Sequence, residues 1–193
     1  DIEKIALKCK RKKCFLVVDE AYHHFGSKSA VPLIKKFKNI IVLKTFSKAF
    51  GVPSIRTGFT VSDKKNMDIL SKARIAHELS SVSIAVAEYL LKNYEIVKKN
   101  AKKIQISRDL LKKELKKIGL ETRSQFGNYI LIKFQNSIEA KKVVKFLKKN
   151  YIYVKGPYKQ PWQNFINISI GPYNVMKPFI KKVKEAKKKK LFT

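Results

Sequence analysis

Apolar residues along the chain fall into three regimes. The first consists of short β-branched runs that end in polar residues. Phe15 to Tyr22 reads FLVVDEAY, and Asn39 to Lys48 reads NIIVLKTFSK. Ile55 to Ser62 reads IRTGFTVS and follows a turn at Gly51–Val52–Pro53–Ser54. A helix or turn around Val31 to Phe37 separates the first two runs. Short apolar runs joined by a helical connection predict parallel strands buried on both faces. In open α/β sheets the side chains that carry chemistry gather at the carboxyl ends of the strands. Asp19, Tyr22, Thr45, Ser47 and Lys48 all stand at such ends.

The second regime is helical. From Ser81 to Ile118 apolar residues recur at helical spacing (Val82, Val86, Leu90, Val97, Ile104, Leu111, Leu115), with lysine pairs between them. A stretch this long is expected to bend or break at Asn93–Tyr94, to stop at Gly119 and to bridge two domains. The third regime alternates again. Strands are predicted over Tyr129–Phe134, Tyr151–Val154 and Phe165–Ile170. Ser137 is expected to cap a helix with Ala140, Val143, Val144 and Leu147 inward. Asn174 is expected to cap a last helix, with Pro178 in its tolerant first turn. The KKKK run at 187–190 reads as a frayed end. Two domains follow, residues 1–92 and residues 93–193, the second a small α+β domain.

Composition narrows the class. A chain of 193 residues, 45% hydrophobic and 11% aromatic, can bury a core although 30% of it is charged. No apolar run reaches the length of a membrane span, and DIEKIALKCK lacks a signal-peptide core, so a soluble cytoplasmic protein without a membrane partner is expected. Cys9 and Cys14 are too few for a four-ligand zinc site and form no disulfide framework. They read as reduced bystanders. Adjacent histidines at a strand end point to opposite faces, so His23 and His24 read as loop residues that share no metal. His77 has no evident partner.

The net charge of +30 comes from 44 Lys+Arg against 14 Asp+Glu. Such a field attracts nucleic acid non-specifically. The basic residues are nearly all lysine and fall on the faces where solvated helix surfaces are expected, and no base-stacking motif accompanies them. The charge therefore reads as a solubility property first.

Two segments carry specific chemistry: Asp19-Glu20-Ala21-Tyr22 at one strand end, and TFSKAFGVPSIRTGF from Thr45 to Phe59. Alone, a strand-end aspartate is usually a helix cap or an ion-pair partner, and a single lysine in this chain means nothing. Together, in this order, and with Arg56 eight residues after Lys48, they resemble the fold-type I class I/II aminotransferases that use pyridoxal 5'-phosphate (PLP), and most of all the histidinol-phosphate aminotransferase group. The resemblance extends to HELSSVSIAVAEYLL (His77 to Leu91) and to NFINISIG (Asn164 to Gly171).

The resemblance implies a fold and a set of roles. The fold would be the C-terminal portion of a fold-type I large domain, an α/β three-layer sandwich with a mainly parallel sheet, followed by a small α+β domain. Lys48 would bind PLP covalently and carry a proton between substrate and cofactor carbons, for which its amine must be unprotonated. Asp19 would keep the pyridine nitrogen protonated, and Tyr22 would donate to the ring's phenolate oxygen. Thr45, Ser47 and Arg56 would hold the phosphate, a task to which the planar fork of arginine is suited. An amino group would pass from an amino donor to a keto or aldehyde acceptor. The protein would work as a homodimer or with a complementing N-terminal half.

Two departures from the family pattern stand out. Family members are about twice as long, so a phosphate loop, a ring-stacking aromatic residue and an asparagine near the phenolate oxygen are expected from elsewhere. The family's arginine for the substrate α-carboxylate is replaced by Asn167. A substrate without that carboxylate, another cation such as Lys155 or Lys159, and a decaying gene all account for the change. Two rival functions remain: a PLP-dependent phosphoamino-acid decarboxylase, and an inactive basic remnant with non-specific affinity for nucleic acid.

Overall fold

The computed structural model describes residues 1–74 and 79–193. His77 lies outside the described residues. The chain divides into two compact units, Asp1–Lys99 and Asn100–Thr193, so the division falls seven residues beyond the position that the hydrophobic pattern suggests, within a helix.

The first unit begins with a helix that the pattern does not predict, α1 (Ile2–Arg11). Its buried face is narrow, with Ala6 fully buried and Ile2 packed beside it, while Ile5 and Leu7 are exposed. Apolar residues on both sides blur the helical period. Three strands follow: β1 (Leu16–Asp19), β2 (Ile40–Thr45) and β3 (Gly58–Ser62). They form one sheet in the order β1-β2-β3. β1 and β2 are parallel, with Asp19 opposite Leu43, whereas β2 and β3 are antiparallel, with Thr45 opposite Gly58. The mainly parallel sheet expected from the resemblance is thus represented here by one parallel and one antiparallel pair. The cause is the connection: β2 returns to β3 through turns, and a parallel return needs a crossover. Gly58 permits the close return, because a Cβ there would lie 2.6 Å from the carbonyl oxygen of Lys44.

Leu16, Val18, Ile40, Val42 and Val61 pack against Ala6, Ala30, Ile34 and Phe37. On the other face Val17 and Leu43 remain 54% and 38% exposed, so the sheet is buried on one face, not on both. The helices α2 (Lys64–Lys72), α3 (Ser81–Lys92) and α4 (Tyr94–Lys117) come next. The break between α3 and α4 falls at Asn93, as expected, and its side-chain amide donates to the carbonyl of Tyr89 at 2.9 Å.

The second unit packs helices against an antiparallel sheet of β4 (Glu121–Arg123), β5 (Tyr129–Lys133) and β6 (Phe165–Ser169). Leu111 and Leu115 of α4 meet Ile130 and Ile132 of β5 and Ile166 of β6 in its core. The helices α5 (Ser137–Lys149) and α6 (Tyr173–Lys188) complete it. Gly119, at φ +83°, ends the helical stretch.

Several local expectations are corrected here. Asn136, not Ser137, caps α5, accepting the N–H groups of Ile138 and Glu139 at 3.0 Å each. The amide oxygen reaches both donors from the residue before the helix. The last helix starts at Tyr173, which puts Pro178 inside it, where one intrahelical hydrogen bond is lost. Tyr151 to Val154 form no strand. Tyr151 takes φ +60°, and only Lys155 bridges to Asn167. The lysine-rich end is docked, not frayed. Phe192 is 4% exposed against Phe134, and the Thr193 hydroxyl lies 3.1 Å from Glu139. One buried aromatic ring outweighs the repulsion among the lysines.

His23 and His24 lie in a short 3-10 turn, His23–Phe25, with ring centroids 3.7 Å apart. They face each other, because the strand ends at Asp19 and its alternation no longer applies. His24 also packs against Phe50 and Tyr94. Burial, then His23 and Lys44, push its pKa from 6.5 down to about 4 against the pull of Glu20. Burial and Lys44 lower that of His23 as well.

A histidine held neutral in the fold but free to protonate when unfolded contributes stability that is complete above pH 6.5 and lost as pH falls towards about 4. Amide protection around Phe46–Phe50, corrected for intrinsic exchange, should therefore fall across that window. His24→Phe should flatten the fall, leaving the carboxylate contribution of Glu20 below pH 4.5. Hydrogen exchange followed by mass spectrometry measures both.

Candidate active site

The parallel pairing of β1 and β2 brings their carboxyl ends to one place. Beyond Asp19 the ladder continues for one bond, from the Glu20 N–H to the Leu43 carbonyl at 2.9 Å. The Asp19 carboxylate accepts the Ala21 N–H at 2.9 Å, which turns the chain out of the strand. The next residues at the end of β2 behave alike. Thr45 Oγ1 accepts the Ser47 N–H at 3.1 Å. Phe46 and Phe50 are buried with Ala87 and Val97, with Val52, Ile55 and Leu90 around them. Two bonds close the loop, Gly51 N–H to the Lys48 carbonyl at 3.0 Å and Val52 N–H to the Phe46 carbonyl at 3.2 Å. With Phe46 and Phe50 as anchors, the residues between them are left to present Ser47 and Lys48.

Asp19, Thr45, Ser47, Lys48 and Arg56 line one cleft of about 390 Å³. Tyr22 stands beside it, its ring centroid 5.3 Å from Lys48 Nζ. Arg56 adopts φ +51°, and its guanidinium donates to the Pro53 carbonyl at 2.8 Å. The structure thus gathers five of the six sequence-selected residues of this unit in the cleft and sets the sixth against Lys48. Chemically these five residues join a carboxylate, a primary amine, two hydroxyls and a guanidinium. Such a set can hold a ligand with a hydrogen-bonding nitrogen, a group that reacts with an amine, and a phosphate.

Glu20 and Lys44 were not singled out by sequence. The Glu20 side chain is buried and accepts from Lys44 Nζ at 2.7 Å, from Ser29 Oγ at 2.8 Å and from the Ala30 N–H. Burial opposes its ionisation, but the bonds from Lys44, Ala30 and Ser29 prevail and hold its pKa below 4.5. Lys44 also lines the cleft. The signal was available: strand alternation turns Glu20 inward when Asp19 turns outward, and an inward carboxylate requires a partner.

Asn167 belongs to the second unit. Its backbone exchanges two hydrogen bonds with Lys155, at 2.9 and 2.7 Å. Both residues line a cavity of about 500 Å³ with Tyr151, Tyr153 and Ser169, and Lys159 is not part of its wall. Among the described residues no group of three or more His, Cys, Asp and Glu is placed to hold a metal ion, and no helix is long and apolar enough to cross a membrane. Cys9 and Cys14 are free thiols.

Comparison with known proteins gives a consistent result. A histidinol-phosphate aminotransferase of Thermotoga neapolitana is 30% identical over 171 residues, which are 89% of this chain and 48% of that protein. The histidinol-phosphate aminotransferase structure from Clostridium acetobutylicum superposes with a TM-score of 0.85 at 23% identity, over 95% of this chain and 57% of that one. The enzyme of that name from Sinorhizobium meliloti, solved with pyridoxal-5'-phosphate, gives 0.83 at 25% identity, over 97% of this chain and 53% of that one. The chain thus spans about half the length of the curated relatives that it matches. The family model for aminotransferase class I and II matches residues 1–183, and by that near-complete match the chain belongs to the class I and II aminotransferases.

Proposed function

We propose that the chain forms the lysine-bearing, PLP-binding part of an aminotransferase of the histidinol-phosphate type, acting in the cytoplasm as a homodimer. The observation that carries this is the single cleft that unites Asp19, Lys48 and the Thr45–Ser47–Arg56 group. The donor set fits PLP in kind and number. Three groups that can donate to a phosphate, one carboxylate for a ring nitrogen and, besides the ion-paired Lys44, one primary amine for an aldehyde share a wall, with the Tyr22 ring beside Lys48.

Bound PLP supplies an electron sink for the carbon that loses its proton. The residues do the rest. Asp19 would accept a hydrogen bond from the protonated ring nitrogen and favour its charged form, which a neutral side chain could not do. The Thr45 and Ser47 hydroxyls and the Arg56 guanidinium would hold the phosphate. Lys48 Nζ would hold the cofactor covalently and, as a free amine, would carry the proton between the substrate carbon and the cofactor carbon. Tyr22, whose ring lies 5.3 Å from Lys48 Nζ, would donate to the phenolate oxygen.

In the second unit Asn167 offers a substrate carboxylate an amide where the family pattern has a guanidinium. Lys155 is its backbone partner and lines the same cavity of the second unit, and it would supply the charge that Asn167 lacks. The apolar and aromatic wall of Tyr151, Tyr153, Met176 and Phe179 suits a substrate with a carbon skeleton behind its acid group.

Two measurements test these assignments. Addition of PLP should give a visible absorbance band, and borohydride should fix a pyridoxyl group on Lys48, found by peptide mass spectrometry. Lys48→Ala should lose both. No band in the unsubstituted chain would sink the proposal, and carbon dioxide released from substrate in place of a keto product would turn it into a decarboxylase. In the loaded protein Lys155→Met should weaken amino-acid binding by about 2 kcal/mol, roughly thirty-fold. Asn167→Arg in that background should restore it. Unchanged affinity in Lys155→Met would remove Lys155 from the site.

A further inference from the structure

Glu20 has no task in the proposed chemistry, yet it is the most heavily bonded side chain at the strand ends. At 5% exposure it accepts from the Ala30 N–H, the Ser29 hydroxyl and Lys44 Nζ. Its own N–H donates to the Leu43 carbonyl at 2.9 Å, and its carbonyl accepts the His23 N–H at 3.1 Å. Together these five bonds fasten three segments: the Ser29–Ala30 turn, the end of β2, and the 3-10 turn after Tyr22.

Lys44 joins the two sides of this arrangement. It lines the cleft, while its ammonium is held by Glu20 with side-chain exposures of 10% and 4%. The His23 ring is 3.1 Å from the same ammonium. A buried ion pair is a weak stabiliser, since desolvation offsets most of the Coulomb gain, whereas the loss of one member leaves a costly lone charge. Its effect lies in geometry and in the field at the cleft. The charged and titratable groups that face this corner are Asp19, Lys48 and Arg56 on the cleft side, with Tyr22, His23 and His24 on the turn between.

We infer that Glu20 is a positioning residue: through Lys44 and the Ser29–Ala30 turn it fixes the Asp19–Tyr22 turn against the end of β2 and neutralises the cation in the cleft wall. The benefit to a cofactor rests on the proposed PLP site, whereas the clamp itself is independent of it.

The test uses Glu20→Gln, Lys44→Met and the double variant in the full chain. Without cofactor, amide exchange at Ala21 and Ala30 should accelerate about ten-fold in Glu20→Gln, while Val42 and Ile132 keep their protection. With PLP, the pH midpoint of the visible band should fall by about half a unit in Glu20→Gln, which frees the Lys44 charge. It should rise in Lys44→Met and return in the double variant. A merely structural role would alter loading and leave no shifts of opposite sign. Unchanged exchange at Ala21, or midpoints that move the same way in both single variants, would overturn the inference. Absence of a band in the unsubstituted chain would overturn the cofactor assignment alone, and the exchange rates would then decide the clamp. If Glu20→Gln does not fold, the double variant, which buries no lone charge, should fold and show the same acceleration at Ala21.

Discussion

The register of β1 against β2 is the constraint on which the site depends. With Asp19 opposite Leu43, β1 ends two residues short of the end of β2, and residues at and just beyond both ends fall on one cleft. A slip of one residue would turn Asp19 into the core and Glu20 out to solvent, because strand side chains alternate. Several contacts hold the register. Ile40 and Val42 are buried beneath Ala6 and Phe37. The Leu16 N–H reaches the Asn39 carbonyl at 2.8 Å, and the Asn39 amide bonds the carbonyls of Ala6 and Cys14. Asn39 thereby ties α1, the approach to β1 and the approach to β2 at the end of the sheet remote from the cleft.

The second unit solves a different problem, since its antiparallel sheet needs no crossover to set its strand ends. There α4 supplies the fixed points. The Ser107 hydroxyl donates to the Gly171 carbonyl at 2.7 Å, and the Arg108 guanidinium donates to the Gly127 carbonyl at 3.1 Å. Both side chains are buried, and both satisfy carbonyls just outside a strand that would otherwise cost stability unpaired. Part of the large positive charge is placed at helix ends, where it costs least. Lysines occupy the last turns of α5 and α6, where the helix dipole favours them. The few acids serve as shared acceptors: Glu114 takes hydrogen bonds from Lys117 and Lys184, which hold its pKa down at about 2. Exposed pairs of this kind add little to stability, and they relieve repulsion locally.

Much of this was legible in the sequence, and the misses have physical causes. The strand ends and the helical break at Asn93 followed from periodicity. The grouping of Asp19, Thr45, Ser47, Lys48 and Arg56 followed from the family resemblance that the two motifs carry. The antiparallel return of β3 was not legible, because an apolar run carries no direction. The segment Tyr151–Val154 has the composition of a strand, but a left-handed residue at Tyr151 leaves it without a ladder. Helix starts were missed by one residue at Asn136, where two polar residues in succession could each cap. Phe192 was hidden behind lysines, since a single anchor has no period. Glu20 was missed for the opposite reason: it stands inside the most informative motif, and attention went to the neighbour that faces the ligand.

That last case carries a wider argument about how this site is built. Four of the six candidate functional residues in the first unit are adjacent to one that is buried. Asp19 precedes buried Glu20, Ser47 follows buried Phe46, and Arg56 precedes buried Thr57. The exposed residues supply chemistry, and the buried ones determine where that chemistry stands. Conformational freedom is removed on the core side, by aromatic packing at Phe46 and Phe50 and by the Glu20–Lys44 pair. The cleft side can then keep polar groups that are not consumed by one another. The Asp19 carboxylate spends one bond on Ala21 and the Arg56 guanidinium one on Pro53, so each retains capacity for a ligand. A site organised in this way owes its geometry to residues that never touch what it binds.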